Sequence, residues 1–366
     1  MKAAASSLYV HIPFCRHICA YCDFPKLFYE QRWGKPYLGA LFDELDSYRI
    51  EAGFLKTIYI GGGTPTALDD ELLALLLEKV RHYLAKDGEF TLEANPETIT
   101  EEKARLLARS GVSRVSLGVQ SAQPRLLRLM GRAHSFAQAK EAIAMLKEAG
   151  ISNINADLIY ALPGESTEEV ASDIEAFLSL DLPHLSCYSL ILERATIFAA
   201  KGYQEAPSEV QAEQYELILA RLREAGYQRY EVSNFAKKGW ECRHNLVYWR
   251  DEPYIGAGLG AAGYLGGRRH KNSLNFHAYC AGKFRGEEEE VDAASDLHYF
   301  LLCNLRLAEG FPLAAFKKRF GYALEEVKAE AIAKLAQRGL LVDDGDALRC
   351  TDEGLLLLDT VLLELF

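Results

Sequence analysis

The stretch His11-Ile12-Pro13-Phe14-Cys15-Arg16-His17-Ile18-Cys19-Ala20-Tyr21-Cys22-Asp23-Phe24 places three cysteines at the spacing C-x3-C-x2-C. It follows an apolar run, residues 8–12, that reads as a short strand ending at Pro13. Three thiolates on one short loop can hold three irons of a [4Fe–4S] cube and leave the fourth open to an exogenous chelating ligand. Structural zinc is the alternative, with His11 or His17 as a fourth ligand, although zinc usually takes paired C-x2-C spacings. The other five cysteines, Cys187, Cys242, Cys280, Cys303 and Cys350, are scattered and read mostly as small buried hydrophobes.

Outward from that loop the chain alternates strand and helix. Residues 36–51 have helical spacing through Leu38, Leu41, Phe42, Leu45 and Tyr48, and 56–60 form a strand stopped by Gly61. A Leu-rich helix is expected over 69–84, a strand over 89–94, and a helix over 101–110 capped by Thr100. Strand 114–119 precedes helix 124–129, and helix 136–149 ends at Gly150. Strand 153–160 closes at Leu162-Pro163-Gly164, helix 167–179 is capped by Ser166 or Thr167, and 184–190 is a sixth strand. Six strands, each followed by a helix, demand an α/β fold with parallel pairing and right-handed crossovers. Six units fall short of the eight that close a full barrel, so an open partial barrel and a doubly wound sheet both remain.

After residue 195 the pattern changes. Residues 208–225 are helical, 227–232 look like a strand, and 233–290 are irregular and rich in Gly, aromatic residues and His. Helices over 295–307, 312–320 and 324–338, a hairpin turning at Asp344-Gly345-Asp346 and a closing helix suggest a winged-helix-like cap. Three parts are expected: a core over 1–230, an irregular connection over 231–294 and a C-terminal α+β domain over 295–366.

Among 366 residues, 52 Asp and Glu outweigh 41 Lys and Arg, a formal net charge of −11. That opposes a general nucleic-acid binder, whose affinity rests on neutralising phosphates. No run of 18 apolar residues spans a membrane, and residues 1–7 lack the apolar core of a signal peptide. Eight cysteines without an export signal imply a reducing, cytoplasmic setting.

The chemistry-bearing residues gather where parallel α/β folds place their sites, at the carboxyl ends of strands. Gly61-Gly62-Gly63-Thr64-Pro65 follows the second strand, where glycines permit positive φ and close backbone approach. Glu93-Ala94-Asn95-Pro96 ends the third and Gln120-Ser121 the fourth. Asp157 lies inside the apolar fifth strand, where a carboxylate needs a partner.

With Tyr9-Val10-His11-Ile12-Pro13-Phe14-Cys15 and Gly118-Val119-Gln120-Ser121 added, the chain resembles the radical S-adenosylmethionine (SAM) superfamily. Within it, the chain is similar to the branch of oxygen-independent coproporphyrinogen III oxidases and heme chaperones. The resemblance covers nearly the whole chain. It implies a partial (β/α)6 barrel, a [4Fe–4S] cluster on Cys15, Cys19 and Cys22, and SAM chelating the open iron. Carried over residue by residue, Tyr9, Tyr21, Gly62, Gly63, Thr64, Glu93, Gln120, Arg132 and Asp157 are the expected cofactor-binding residues.

Two departures favour the chaperone. The oxidases carry another cysteine two residues after the third ligand, where this chain has Phe24, and they have a long extension before the motif. A third feature is His244-Asn245-Leu246-Val247-Tyr248-Trp249, the H-N-x-x-Y-W motif of the chaperones. The resemblance implies heme contact at His244, with Cys242 as a rival ligand, since imidazole and thiolate both bind heme iron. It implies heme transfer to a client protein; the acidic balance opposes nucleic acid, and an acidic surface with a Leu-rich end permits peripheral membrane contact through a partner. Radical decarboxylation of coproporphyrinogen III is the alternative. Residues 258–263 fit G-x-G-x-x-G but lead into no helix, and are expected to form a Gly-rich loop near the heme or SAM site. The basic residues 268–271 read as a solvated patch or a contact for heme propionates.

Overall fold

Six parallel strands lie side by side in the order in which the chain makes them. In this computed structural model, which describes residues 5–366, they are β1 (Ser7–Ile12), β2 (Leu55–Gly62), β3 (Leu84–Ala94), β4 (Arg114–Gln120), β5 (Asn153–Tyr160) and β6 (His184–Ser189). The part of the signal-peptide reading that concerns residues 1–4 lies outside the described residues. A doubly wound sheet would reverse its strand order at a switch point. The unbroken order decides for the open partial barrel. The connecting helices α1 (Gln31–Ser47), α2 (Asp70–Arg81), α3 (Glu101–Arg109), α4 (Pro124–Met130), α5 (Phe136–Glu148) and α6 (Thr167–Leu178) follow their strands, and α1, α2, α3 and α5 contact one another in turn.

Capping matches the sequence signals. Thr100 accepts a hydrogen bond from the Lys103 N–H, and Ser166 forms a capping box with Glu169. The third strand begins five residues earlier than its apolar run, because Leu84 already pairs with Leu55 across a register shift.

The strands alternate between two chemistries. Leu8, Val10 and Ile12, then Ile58 and Ile60, Phe90 and Leu92, Val115, Leu117 and Val119, belong to the apolar core. The intervening positions are polar: Tyr9 and His11, Thr57 and Tyr59, Glu89, Thr91 and Glu93, Arg114 and Ser116, Asn155 and Asp157, His184 and Ser186. Parallel sheets are usually apolar on both faces. Here the second set makes a polar interior that is closed by hydrogen bonds. Asn155 Nδ2 donates to Ser116 Oγ at 2.8 Å, His184 bonds Asn155 Oδ1 at 2.6 Å and Tyr230 at 2.9 Å, and Ser186 donates to Asn234 at 2.8 Å. Such a network holds the interior together only because nearly every member is paired.

The stretch 233–290 is not irregular. Its strands β7 (Asn234–Ala236) and β8 (Ile255–Ala257) join opposite edges of the sheet, β7 antiparallel to β6 and β8 parallel to β1. The sheet therefore draws on residues beyond 230. Two strands of three residues leave too short a period to read in a sequence rich in Gly and aromatic side chains. Between them, helix α7 (Arg243–Trp249) crosses the amino ends of β2 and β3. Glu89 on β3 accepts the N–H groups of Arg243 and His244, both at 3.0 Å, and so satisfies two donors at the start of that helix. Residues 268–271 pair with 287–290 in a hairpin, where Arg268 meets Glu288 and Glu290. Arg268 thus meets the acidic run, while Arg269 turns to Asp251.

The C-terminal part has a separate core around Phe300, Phe311, Phe316, Leu335, Leu348 and Leu362. Its helices Ala293–Asn304, Leu313–Phe320 and Glu325–Gln337 accompany a three-stranded antiparallel sheet of 311–312, 347–350 and 341–343. The closing helix is broken into Asp352–Leu356 and Leu358–Leu365. Buried Asp251 ties this part to the barrel by accepting from Arg319 at 2.7 Å and from Arg269.

Candidate functional site

A cavity of about 350 Å³ opens at the carboxyl ends of the strands. Cys15, Cys19, Cys22 and Tyr21 of the first loop line it, with Gly62, Gly63 and Thr64 after β2 and Glu93 at the end of β3. Gln120, Arg132 and Asp157 also line it. Asn95, Ser116, Tyr188 and Ile191 line it too, and sequence reasoning missed them as ligand contacts. The signal for Ser116 was the polar alternation along β4, which puts it in line with Gly118 and Gln120.

The glycine turn is dictated by what surrounds it. A Cβ on Gly61 would meet the Glu93 carboxylate at 2.8 Å, one on Gly62 the His11 ring at 2.6 Å, and one on Gly63 the Cys15 Sγ at 2.8 Å. Only Gly62 needs positive φ, at 114°. The three glycines make room for the carboxylate, the imidazole and the first thiol.

Among the described residues, no set of three or more His, Cys, Asp or Glu side chains converges to hold a single metal ion. A cube binds each thiolate to a different iron, so its ligands stand apart around it. The thiols are held from outside. Thr64 donates to Cys15 Sγ at 3.7 Å, and Arg132 Nη1 donates to Cys19 Sγ at 3.3 Å. Burial pushes the Cys15 thiol up to about 11 and raises that of Cys22. Such thiols stay protonated without a metal to displace the proton.

Other polar groups in the cavity are unspent. Gln120 Oε1 and Arg132 Nε are buried without a hydrogen-bond partner. Gln120 also holds φ at 71°, a strained conformation for a residue with a side chain. Asn95 bridges the two halves of the rim, donating to Thr64 Oγ1 at 3.0 Å and accepting from Arg132 at 2.8 Å. Glu93 accepts from Tyr59 at 2.8 Å and from the Gly62 N–H at 3.0 Å. Burial nevertheless pushes its carboxyl up to about 7. Burial also raises Asp157 above the usual carboxylate range. Orphaned donors and acceptors around a carboxylate pair fit a polar, charged ligand such as SAM beside a cluster.

Residues 9–177 match the radical SAM superfamily, and residues 291–357 the HemN C-terminal domain. The heme chaperone HemW of Lactococcus lactis subsp. lactis is 42% identical, covering 97% of this chain and 95% of that one. This chain belongs to the HemW family of radical SAM proteins. The HemW of Bacillus subtilis is 37% identical, with 96% of each chain covered, and that of Escherichia coli 35%, covering 100% of this chain and 99% of that one. The coproporphyrinogen III oxidase HemN of E. coli shares the fold, with a TM-score of 0.85 over 100% of this chain and 90% of that one, at 22% identity. Membership of the radical SAM superfamily brings the [4Fe–4S] cluster and SAM with it, and the residues around this cavity fit both.

Two expected site residues of this HemW-family chain fall elsewhere. Tyr9 lies one step deeper in the barrel, its hydroxyl bonded to His11 Nδ1 at 3.0 Å and its ring against Tyr59. His244 sits at the amino end of the barrel, opposite the cysteines. It is 0% exposed, its Nδ1 bonds Thr57 Oγ1 at 2.8 Å, its Nε2 bonds the Tyr248 hydroxyl at 2.8 Å, and its ring lies along Tyr59. Both nitrogens are taken, so it is no free heme ligand in this conformation. Burial lowers it to about 3, keeping the ring neutral. Cys242, the rival, is equally buried beside Glu89. The Gly258–Gly263 loop does not line the cavity. Gly258 packs on the outer side of β1, where a Cβ would meet His11 O at 2.4 Å, and its N–H donates to Glu44 at 2.9 Å.

Proposed function

We propose that this protein is a heme chaperone: it holds a [4Fe–4S] cluster on Cys15, Cys19 and Cys22, binds SAM in the adjoining cavity, and passes heme to a client protein. The observation that carries the reading is 35–42% identity to curated heme chaperones along nearly the whole chain, against 22% to the coproporphyrinogen oxidase, with which it shares the fold. Phe24, where the oxidases have a further cysteine, supports it.

In this reading Thr64 and Arg132 orient the thiolates of Cys15 and Cys19. Gly62, Gly63 and Thr64 admit the methionyl part of SAM, and Glu93, Gln120, Asp157 and Tyr21 complete its contacts. The bound cluster supplies redox chemistry and an open iron for the amino and carboxylate groups of SAM. A cytoplasmic setting fits the reduced cysteines, and among the described residues no helix is long and apolar enough to cross a membrane.

The test uses anaerobically reconstituted protein with SAM and reductant, supplied with either coproporphyrinogen III or heme. Stoichiometric heme binding without decarboxylation, followed by heme appearing on an acceptor protein, is expected. Formation of protoporphyrinogen would make the protein an oxidase and overturn the reading.

A further inference from the structure

A tyrosine joins the two ends of the barrel. Tyr59 and Thr57 stand two residues apart on β2, so their side chains share its polar face. The Tyr59 hydroxyl donates to Glu93 Oε1 at 2.8 Å, and Glu93 lines the cysteine cavity. The ring of the same tyrosine packs on His244 of α7, with centroids 5.3 Å apart and planes at 33°. Thr57 Oγ1 bonds Nδ1 of that imidazole at 2.8 Å. Neither Tyr59 nor His244 lines the cavity. Tyr59 therefore stands between a residue of the cavity and a residue of α7.

Of its two partners, Glu93 has the room to move. The carboxylate is pressed against Gly61, where a Cβ would lie 2.8 Å from it, so the space left to it is on the cavity side. Its donors are the Tyr59 hydroxyl and the Gly62 N–H at 3.0 Å. A cationic ligand in the cavity draws an ionised Glu93 toward itself by Coulomb attraction, and so away from Tyr59. What changes at α7 reaches further. That helix carries the H-N-x-x-Y-W motif, Trp249 at its end lies under the Arg306 guanidinium at 4.4 Å, and Asp251 just beyond it accepts from Arg319 at 2.7 Å.

We propose that Tyr59 is a positioning residue that couples the cavity to α7: a ligand that engages Glu93 loosens the Tyr59 hydroxyl bond, and the imidazole packed on that ring is held less firmly. The inference goes beyond the chaperone reading, resting on it only for SAM in the cavity and not for heme transfer. One hydrogen bond, made to Glu93 or released, supplies the two arrangements that both ends of the barrel share. Couplings between sites commonly span about 5- to 150-fold. A link made of a single hydrogen bond belongs at the lower end of that span, at about fivefold.

The experiment follows hydrogen–deuterium exchange of the α7 amides, residues 243–249, in anaerobically reconstituted wild type and Tyr59→Phe, with and without saturating SAM. SAM binding is checked in each protein by equilibrium dialysis, and hemin is absent from every arm. Tyr59→Phe keeps the ring against His244 and removes only the hydroxyl, so it tests the link and not the packing. In the wild type, SAM is expected to speed exchange in α7 about fivefold, while the amides of α5 serve as an unchanged control. In Tyr59→Phe, α7 is expected to exchange at the faster rate with or without SAM. Thr57→Val, which removes the other hold of β2 on the imidazole, is expected to speed exchange and still respond to SAM. Wild-type α7 exchange indifferent to SAM, or an equal response in wild type and Tyr59→Phe, would overturn the proposal and leave the chaperone reading standing. Failure of the wild type to retain SAM would overturn the assignment of the cavity and the proposal together.

Discussion

A SAM pocket built on Glu93 is expected to bind with a pH dependence set by the surroundings of that carboxyl. Two donors, the Tyr59 hydroxyl and the Gly62 N–H, favour its charged form, yet burial outweighs them and lifts the carboxyl to about 7. An acid with a value of about 7 is about 9% ionised at pH 6 and about 91% at pH 8. SAM is a sulfonium cation, and it binds best beside the ionised carboxylate. The apparent affinity follows the competent fraction, so it should rise about tenfold, or about 1.4 kcal/mol, between pH 6 and pH 8. The sign follows from the raised value: the free protein carries a proton that binding must expel, so acid weakens the complex. SAM has its own amino group, and Asp157 titrates nearby, so the clean measure is a ratio. Glu93→Gln cannot ionise, and its single amide oxygen keeps one of the two hydrogen bonds. Equilibrium dialysis of labelled SAM against reconstituted wild type and Glu93→Gln should show a tenfold larger pH effect in the wild type. Parallel pH profiles would refute the argument.

Gly63→Ala should cut iron incorporation by about half or more, because its Cβ would lie 2.8 Å from Cys15 Sγ and a crowded site tolerates little extra volume. Gly39→Ala, in open space on α1, should leave iron content unchanged, and equal iron in both variants would exclude the steric account. Glu165 is buried, accepts from the Leu162 N–H at 2.9 Å and is pushed up to about 8 by desolvation. Between its ordinary 4.5 and 8 the folded chain holds a proton that the unfolded chain has lost, so this group costs up to about 1.4 kcal/mol of stability per pH unit as pH rises. Urea midpoints of Glu165→Gln should therefore gain on the wild type from pH 5.5 to 7.5, and a constant offset would count against it. Asp251→Asn should cost about 3 kcal/mol, because it leaves the Arg269 and Arg319 guanidinium groups without their buried counter-charge. An unfolding midpoint equal to that of the wild type would show the pairing to be unimportant.

The sequence carried the parts of this protein that depend on neighbours along the chain. Three cysteines within eight residues need no tertiary contact to be read as a cluster loop. Apolar periods of two and 3.6 marked the six β/α units, and cap residues such as Thr100 and Ser166 marked helix starts. Strand ends could be recognised because glycines, carboxylates and amides interrupt apolar runs there; with the cysteine loop and the positions that the family resemblance supplied, such as Tyr21 and Arg132, eleven of the expected site residues line one cavity. The alternation of polar residues along β3, β4 and β5 is visible in the sequence too, but only the structure shows that those positions share one interior.

Tertiary structure decided what depends on partners far along the chain. Strand order separated the partial barrel from the doubly wound sheet, since both share one periodicity. Residues 234–236 and 255–257 are strands only because β6 and β1 offer free edges to pair with. The resemblance made His244 a heme contact, and only the fold shows that Thr57, from 187 residues away, and Tyr248 take its two nitrogens. A local pattern fixes which groups a chain owns; long-range packing fixes which of them remain unpaired, and it is the unpaired groups that can bind a ligand.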